Sequence, residues 1–233
     1  MKISVVIPAY NEEENLERTL TVISKELSDQ GIEHEFVVVD DASTDRTPEI
    51  LQDLSSRFPL RFFRNEKNMK LGYTLRRGLE QAMGDVVFYT DCDLPCLPSV
   101  IVYALKIMQT YECDLVIAYR LDRTAEGFLR RLYSSLYNFM IRVLFGLSVR
   151  DVNFACKMMK RKVLENIKLE STGSFIDAEL LIKARRRGFT ILQFAADYFP
   201  RLRGKSTLAG PGVIIKLLKE MFSFRLRLWF KGD

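Results

Sequence analysis

The sequence predicts an α/β protein with a doubly wound, mainly parallel sheet flanked by helices. Over residues 3–89, four short apolar runs rich in β-branched residues alternate with amphipathic segments. This β-α-β-α-β-α-β order is typical of a parallel sheet whose strands are connected by helices. The chain has 233 residues, of which 48% are hydrophobic, so one sizeable core and a single domain are expected.

In the first half of the chain, apolar runs predict strands and amphipathic segments predict helices. Asn11 is followed by three glutamates and is expected to cap the first helix. Thr47 and Pro48 are expected to begin the second helix, because proline is favoured at the first helical position. Strands are predicted at 3–7, 36–39, 60–63 and 86–89, and helices at 11–27, from 47 onward, and at 72–83.

The second half of the chain is less regular. Residues 128–145 are apolar but interrupted by arginine, serine and asparagine. Residues 200–212 are basic and rich in glycine, and Pro211 is expected to open an amphipathic C-terminal helix. Helices are also predicted at 100–108, 161–167 and 176–187, and strands at 115–118, 151–159 and 189–194. The polar residues of the last helix are expected to form one stripe, at Lys216, Lys219, Glu220, Ser223 and Arg227.

Composition narrows the classes of function. The formal net charge of +5 and the pI of about 9.0 suit anionic partners, such as phosphate-bearing ligands, acidic lipid or nucleic acid. The four cysteines form no pair of CxxC clusters, so reduced thiols in a cytosolic protein are expected and a structural zinc site is not. His34 is the only histidine, which argues against a histidine-rich metal site and a Ser-His-Asp triad. Neither a signal peptide nor a membrane-spanning run of about 20 apolar residues is expected.

Two aspartates separated by one residue follow the strand predicted at 86–89. Alternate residues at a strand end point the same way, so Asp91 and Asp93 are expected to present two carboxylates together. Such a pair suits a hard divalent cation, Mg²⁺ or Mn²⁺, that also binds a substrate's phosphates. The alternative is a pair of turn or capping aspartates, which are common after strands.

Polar residues also follow the first two strands. Ligands of doubly wound sheets bind beyond the carboxyl ends of the strands, so Pro8–Tyr10, Asp40–Asp41 and the aspartate pair are expected to meet in one crevice. Asp41 is assigned to a ligand, whereas Asp45 or Thr47 is assigned to capping the next helix. Tyr10 suits packing against a base, although an ordinary surface aromatic residue is the alternative.

Three features of the second half have both a functional and a purely structural interpretation. The basic residues after position 200 suit phosphate binding, or else a solvated charged loop. Asp177 and Glu179 suit an acceptor, or else a helix dipole. The C-terminal helix suits an anionic bilayer, or else packs on its own domain; its aromatic and basic residues are Phe224, Arg225, Arg227, Trp229, Phe230 and Lys231.

These motifs resemble those of family 2 glycosyltransferases of the GT-A fold. Residues 4–12, SVVIPAYNE, resemble the opening of that family, and 39–45, Asp91-Cys92-Asp93 and Tyr119-Arg120 follow in the family's order. The chain is most similar to the polyprenyl-phosphate branch, the dolichyl-phosphate mannose and glucose synthases and their undecaprenyl-phosphate relatives. Residues 151–157 and 201–206 carry that similarity.

The resemblance implies roles for individual residues. It divides a domain at 1–210 into a nucleotide-sugar half, 1–120, and an acceptor half, 121–210, followed by the amphipathic helix at 211–233. It implies that Asp91 and Asp93 bind Mg²⁺ or Mn²⁺. Contacts with the nucleotide sugar are implied for Pro8, Ala9, Tyr10, Glu12, Val39, Asp41, Cys92, Arg120, Arg201, Arg203 and Lys205.

The resulting hypothesis is a metal-dependent inverting enzyme that transfers a hexose from a nucleotide sugar to a polyprenyl phosphate. The donor is of the GDP-mannose or UDP-glucose type, and Arg130 and Arg131 are candidates to hold the lipid phosphate. A phosphate acceptor is already an anion near neutral pH and needs no base. A sugar hydroxyl acceptor would need one, and Asp177 is then the first choice.

Two further classes are weighed against this hypothesis. A sugar nucleotidyltransferase also uses a metal and a doubly wound sheet, but it usually opens with a glycine-rich phosphate loop. A non-catalytic binder of membrane or nucleic acid would leave the acidic crevice unexplained. No nucleic-acid partner is expected. The protein is placed in the cytoplasm, peripherally on the cytoplasmic face of a membrane, which it is expected to contact through the C-terminal helix.

Overall fold

The computed structural model describes residues 1–124, 127–199 and 211–231, with the side chains of the last helix described at 216–228. It confirms a mixed α/β domain. The elements are β1 (Ile3–Ala9), α1 (Leu16–Asp29), β2 (His34–Asp40), α2 (Thr47–Leu54), β3 (Leu60–Arg64), α3 (Leu71–Gln81), β4 (Val86–Thr90), α4 (Ser99–Thr110), β5 (Leu115–Arg120), α5 (Phe128–Phe145), β6 (Cys156–Lys160), α6 (Arg161–Asn166), α7 (Ile176–Arg186), β7 (Ile191–Ala196) and α8 (Pro211–Lys231).

The strands of the sheet lie in the order β3-β2-β1-β4-β6-β5-β7. Strand β1 pairs in parallel with β2 on one side and with β4 on the other. Strand β6 is antiparallel to both β4 and β5, whereas β7 is parallel to β5. The sheet is therefore mainly parallel, with one antiparallel strand inserted between β4 and β5.

Helices cover both faces of the sheet. Alternate residues of a strand point to opposite faces, so the apolar strands contribute side chains to a separate core on each face. Val5 and Ile7 face a core shared with α1, α2 and α4, while Val6 faces a core shared with α3, α5, α7 and α8. Helix α3 lies close to the sheet at Gly78, where a Cβ atom would be 2.6 Å from Cγ1 of Val6. Glycine at this position therefore permits the close approach of α3 to β1.

The predicted start of the first helix is wrong. Helix α1 begins at Leu16 after Asn15, and Asn11 lies in the preceding loop with a φ of 56°. Oδ1 of Asn11 accepts a hydrogen bond of 2.8 Å from the backbone N–H of Thr44. Its side chain thus joins the loops after β1 and β2 instead of capping a helix.

Two segments of the second half also differ from the prediction. The strand expected over 151–159 begins only at Cys156, because the preceding residues form the loop that leads into the antiparallel strand. The interrupted apolar segment at 128–145 is the continuous helix α5, which buries Tyr137 and Ile141.

The C-terminal helix packs on its own domain. Met221, Phe224 and Leu228 of α8 are buried in the core that α5 and α7 share. The ring of Phe224 lies 5.3 Å from that of Phe175 and 5.9 Å from that of Phe145. The side chains of 229–231, part of the bilayer expectation, lie outside the described residues. None of the helices in the described part of the chain has the length and hydrophobicity needed to cross a bilayer.

Candidate active site at the carboxyl edge of the sheet

The carboxyl ends of β2, β1 and β4 lie side by side, so the three polar clusters expected from the sequence share one edge. Pro8 pairs with Val39, and the N–H of Asp41 donates a hydrogen bond of 2.8 Å to the carbonyl of Ala9. Val6 pairs with Tyr89, two residues before Asp91. Tyr10, which follows Ala9 directly, is half-buried at the same edge.

The loops after these strands have an unusual backbone. A non-glycine residue with positive φ occurs in each of them, Asn11 at 56°, Ala42 at 61° and Leu94 at 52°. Residues in this sparsely populated region cost of order 1–3 kcal/mol each and cluster at ligand sites. The edge is thus held in conformations that the rest of the fold must stabilise.

The carboxylate of Asp41 organises a neighbouring loop. Its Oδ1 accepts hydrogen bonds from Nδ2 of Asn65 at 2.8 Å and from the N–H of Met69 at 2.7 Å. Its Oδ2 accepts one from the N–H of Lys70 at 2.9 Å. Asp41 therefore ties the segment before α3 to the end of β2, and any ligand contact would come in addition to these bonds.

Glu12 is buried below the first loop. Its Oε2 accepts a hydrogen bond of 2.7 Å from Nδ2 of Asn15, and its N–H donates one of 2.9 Å to Oγ1 of Thr47. Asp45 accepts a hydrogen bond of 3.0 Å from the N–H of Thr47, the first residue of α2. The N-cap residue of α2 is Arg46, without a side-chain cap hydrogen bond, so the predicted capping by Asp45 or Thr47 is wrong.

The aspartate pair lies in the loop that follows β4. Asp91 and Asp93 are both half-buried. Between them, the carbonyl of Cys92 accepts a hydrogen bond of 2.6 Å from Oγ1 of Thr19, and the thiol of Cys92 lies in the core. Thr19 of α1 thus holds the backbone of the loop at Cys92, the residue between the two aspartates.

The donor set fits a hard divalent cation that binds through few protein groups. The carboxylates of Asp91 and Asp93 lie close enough to the buried phenol of Tyr89 that both raise the pKa of Tyr89, after the larger effect of burial. The residues described contain no cluster of three or more His, Cys, Asp and Glu side chains able to hold a metal. Mg²⁺ commonly binds through one or two carboxylates, with water and substrate phosphates completing its coordination.

Arg120 lies at the end of β5, where a carboxylate and two aromatic rings surround its guanidinium. Its Nε and Nη2 donate hydrogen bonds of 2.6 and 2.9 Å to the carboxylate of Asp151. The guanidinium also lies 5.4 Å from the ring centroid of Phe154 and 5.2 Å from that of Tyr198. Arg120 is thus held in one orientation by groups that the sequence had not associated with it.

The other predicted phosphate-binding residues are dispersed. Arg130 and Arg131 are exposed on the first turn of α5. Arg201, Arg203 and Lys205 lie outside the described residues.

Asp177 is buried at the start of α7 and paired with a lysine. Nζ of Lys157 donates hydrogen bonds of 2.5 Å to Oδ1 of Asp177 and 2.6 Å to the carbonyl of Phe154. Burial raises the pKa of Asp177, and the positive charge of Lys157 opposes that effect. Glu179, the second acid, is fully buried and holds the N–H groups of Glu170 and Ser171 at 2.9 and 2.7 Å.

The sequence interpretation missed Lys157, Tyr89 and Asp151 as parts of this site. The available signal was Lys157 itself, a lysine between the apolar residues Cys156 and Met158 of β6. A charged residue in a central strand is expensive to bury unless it is paired.

Solved structures with this architecture belong to GT-A glycosyltransferases. Glucosyl-3-phosphoglycerate synthase of Mycobacterium tuberculosis, in complex with Mn²⁺, UDP and glucosyl-3-phosphoglycerate, aligns with a TM-score of 0.75 and 25% identity. The alignment covers 95% of this chain and 79% of that one. The protein therefore has the fold of a GT-A glycosyltransferase.

The family follows from sequence comparison. The model described as Glycosyl transferase family 2 matches residues 4–168, and the chain belongs to that family. It is 34% identical over 236 residues to a dolichol-phosphate mannosyltransferase of Pyrococcus furiosus, across 98% of this chain and 64% of that protein. It is 28% identical to the glycosyltransferase AglD of Haloferax volcanii, across 99% of this chain and 37% of that protein. The chain thus spans less than two thirds of the length of either relative.

Proposed function

We propose that the protein is a metal-dependent inverting glycosyltransferase that moves a hexose from a nucleotide sugar to a polyprenyl phosphate, of the dolichyl or undecaprenyl type. The donor is of the GDP-mannose or UDP-glucose kind. Membership of family 2 supports the transfer chemistry, and the dolichol-phosphate mannosyltransferase relative supports the lipid phosphate acceptor.

The proposed donor site is the edge formed by β1, β2 and β4. A divalent cation held by Asp91 and Asp93 would supply positive charge to the departing diphosphate. The chain's own contribution is to hold these two carboxylates and the loops around them in one geometry. Arg120, oriented by Asp151, adds a fixed positive charge suited to phosphate.

The exposed face of α5 is the observation that carries the choice of acceptor. Apolar residues recur every three or four positions along one side of the helix, and together they span an arc of about 140°. Arg130 and Arg131 lie in the first turn of the same helix, where they suit a lipid phosphate. The exposed apolar residues, each 48% or more exposed, are Phe128, Leu129, Leu132, Tyr133, Leu136, Phe139 and Val143.

The burial of Asp177 also favours a phosphate acceptor over a sugar hydroxyl. A general base must reach the proton that it removes. The carboxylate of Asp177 is instead buried and bonded to Lys157 at 2.5 Å. A polyprenyl phosphate needs no base, because its phosphate is already ionised near neutral pH. An acceptor with a sugar hydroxyl would need a base elsewhere.

We assign the membrane contact to α5 and not to α8. An exposed apolar stripe flanked by arginines suits the interface of an anionic bilayer. Helix α8 uses Met221, Phe224 and Leu228 for its own core and exposes only Phe222 and Leu226 among its described large apolar residues. Helix α5 would lie at the bilayer surface, and the four free, buried cysteines fit a reducing compartment such as the cytoplasm.

The proposed reaction is tested by measuring release of nucleoside diphosphate with GDP-mannose, UDP-glucose and related donors, with Mg²⁺ or Mn²⁺. The acceptors are a short polyprenyl phosphate, the matching polyprenol without phosphate, and 3-phosphoglycerate as a soluble comparison. We expect turnover with one donor, only with metal, and only with the lipid phosphate. Equal turnover with a soluble hydroxyl acceptor would refute the assignment of the acceptor.

The membrane contact is tested by flotation with vesicles of phosphatidylcholine, with and without phosphatidylglycerol. The variant Leu132→Ser/Leu136→Ser is expected to lose binding to the anionic vesicles. The matched control Phe222→Ser/Leu226→Ser changes two exposed apolar residues of α8 and should bind as the unaltered protein does. Loss of vesicle binding only in Phe222→Ser/Leu226→Ser would show that α8, and not α5, contacts the membrane.

A further inference from the structure

The ion pair between Arg120 and Asp151 depends on a connecting loop. Asp151 lies in the segment 146–155 between α5 and β6, outside any helix or strand. Its carboxylate is nevertheless buried and accepts two hydrogen bonds from Arg120. A buried ion pair is favourable only where its geometry is accurate, and loops are more mobile than the elements they connect. The backbone at Asp151 therefore needs a support of its own.

Asn138 of α5 supplies this support. Its Nδ2 donates a hydrogen bond of 3.0 Å to the carbonyl of Arg150, and its Oδ1 accepts one of 3.2 Å from the N–H of Val152. These two backbone groups stand on either side of Asp151, so the bonds enclose the two soft dihedral angles of that residue. One amide side chain thus fixes the direction in which the side chain of Asp151 leaves the backbone.

The same loop is also held by β7, but at a different place. The N–H of Arg150 donates a hydrogen bond of 2.8 Å to Oε1 of Gln193, whose Nε2 donates one of 2.9 Å to the carbonyl of Ser148. These bonds hold the part of the loop before Asp151. The contacts that enclose Asp151 itself come from Asn138.

Asn138 lies on the side of α5 opposite to the exposed apolar face, because successive residues of a helix turn by about 100°. Its neighbours on that side, Tyr137 and Ile141, are buried in the domain. One helix therefore presents apolar side chains outward and the support for Asp151 inward. A change in the position of α5 would be transmitted directly to the backbone at Asp151.

We propose that Asn138 is a positioning residue for Arg120. Asn138 fixes the backbone of Asp151, and Asp151 fixes the guanidinium by its two hydrogen bonds. A chain of direct contacts thereby connects helix α5, the proposed site of the lipid phosphate, with the positive charge at the end of β5. This inference rests on the proposed function, because it takes Arg120 to bind a phosphate group of a substrate.

The proposed reaction gives this connection a purpose. In an inverting transfer, the acceptor oxygen attacks on the side opposite to the departing diphosphate. The groups that bind the two phosphates must therefore keep a constant separation. A misplacement of about 1 Å can cost on the order of 100-fold in rate, even when the altered residue is far from the reacting atoms.

The first test observes the Nε–H resonance of Arg120 by NMR in ¹⁵N-labelled protein, assigned by its loss in Arg120→Lys. The control is Ser134→Ala, which removes a hydrogen bond of 3.0 Å between the same helix and Nη1 of Arg123. We expect Asn138→Ala to shift the Arg120 resonance toward that of an exposed arginine and to speed its exchange with water. Ser134→Ala should leave both unchanged.

An unchanged Arg120 resonance in folded Asn138→Ala would refute the positioning role, because a purely structural residue changes stability without moving this signal. Thermal unfolding shows whether each variant folds. If Asn138→Ala does not fold, Asn138→Asp decides the question, since it keeps the acceptor for the N–H of Val152 and loses the donor to Arg150. The same direction of shift is expected, and its absence would refute the inference.

The second test measures kcat and KM with a short polyprenyl phosphate. We expect Asn138→Ala to lower kcat/KM by roughly 10-fold, as misplacement of a binding group does. Flotation with anionic vesicles should be unaffected, because the exposed apolar face of α5 is intact. Ser134→Ala should keep the kcat/KM of the unaltered protein. A shifted Arg120 resonance with full activity would overturn the inference, since the orientation of Arg120 would then have no bearing on the reaction.

Failure of the proposed function gives a different result. If the unaltered protein transfers no sugar from any donor to the lipid phosphate, the proposed function falls. The Arg120 resonance in Asn138→Ala still shows whether Asn138 orients Arg120, because that measurement needs no substrate. If the unaltered protein is active and the resonance does not move, the proposed function stands and the role of Asn138 is refuted.

Discussion

Arg120 and Asp151 form a two-point ion pair in which Nε and Nη2 lie 2.6 and 2.9 Å from the two carboxylate oxygens. The side chains are 8% and 2% exposed. A guanidinium held in this way by a carboxylate and two aromatic rings is oriented before any ligand arrives. The preorganised charge at the end of β5 is therefore a property of the pair and not of Arg120 alone.

We predict that Asp151→Asn lowers the free energy of unfolding by roughly 3 kcal/mol, because it breaks the buried two-point ion pair with Arg120. Transferase activity should fall more than stability explains, since Arg120 loses its orientation. Urea unfolding and steady-state kinetics measure the two effects.

A nearby arginine provides the control for this pair. Arg150 is exposed, donates a hydrogen bond of 3.0 Å to the hydroxyl of Tyr119 and stacks on that ring at 4.7 Å. Arg150→Lys should change stability by less than about 0.5 kcal/mol. Equal losses in Arg150→Lys and Asp151→Asn would show that the buried pair has no special role.

Helix α8 is predicted to be part of the folded core. Phe224 is buried against Phe145 and Phe175, so Phe224→Ala should cost about 3–5 kcal/mol. Phe222→Ala, a matched change on the exposed side of α8, should cost less than about 0.5 kcal/mol. Thermal or urea unfolding distinguishes the two, and a small effect of Phe224→Ala would mean that α8 is not docked.

The sequence allowed the donor edge to be predicted because its elements are local. Apolar runs that end in polar residues identify β1, β2 and β4, and parallel strands bring their carboxyl ends together. Asp91, Asp93 and Asp41 were therefore placed at one edge without knowledge of the structure. The capping role of Asn11 was wrong, because the choice between Asn11 and Asn15 depends on the neighbouring loop at Thr44.

The support behind that edge was not predictable from local pattern. Lys157 faces Tyr89 only because β6 is antiparallel and inserted beside β4, which is a tertiary property. Glu220 was placed on a polar stripe, yet its carboxylate lies against Gly173, where an added Cβ atom would be 2.5 Å from Oε1 of Glu220. In both cases a polar residue finds its partner far along the chain.

Gly72 is predicted to be intolerant of a side chain. A Cβ atom there would lie 2.6 Å from backbone atoms of residues 171, 172 and 173. The N–H of Gly72 donates a hydrogen bond of 3.0 Å to the carbonyl of Thr172. Gly72→Ala should therefore cost about 1–3 kcal/mol in urea unfolding, as overpacking does. Gly127→Ala is the control and should change stability by less than about 0.5 kcal/mol, because a Cβ atom there would meet nothing within 4 Å among the described residues beyond its chain neighbours.

Glu35 is predicted to make the fold sensitive to acid. Burial alone would raise the pKa of Glu35, but hydrogen bonds from Ser4, Met83 N–H and Lys2, with the charge of Arg61, lower it below its ordinary value of 4.5. A carboxyl group whose pKa is lowered by folding stabilises the native state above its unfolded pKa, and this stabilisation is lost as the pH falls through the folded pKa.

Glu35→Gln should therefore reduce stability at pH 7 by roughly 1.5–3 kcal/mol, the range for hydrogen bonds to a charged group. The difference between the unfolding curves of Glu35→Gln and the unaltered protein should shrink as the pH falls below about 4.5, and the curves should converge only below the lower folded pKa of Glu35, where the native carboxylate is protonated. Urea unfolding from pH 7 to pH 3 measures this, with the exposed Glu66→Gln as the control. A constant difference between the two proteins across that range would show that the charge of Glu35 does not contribute.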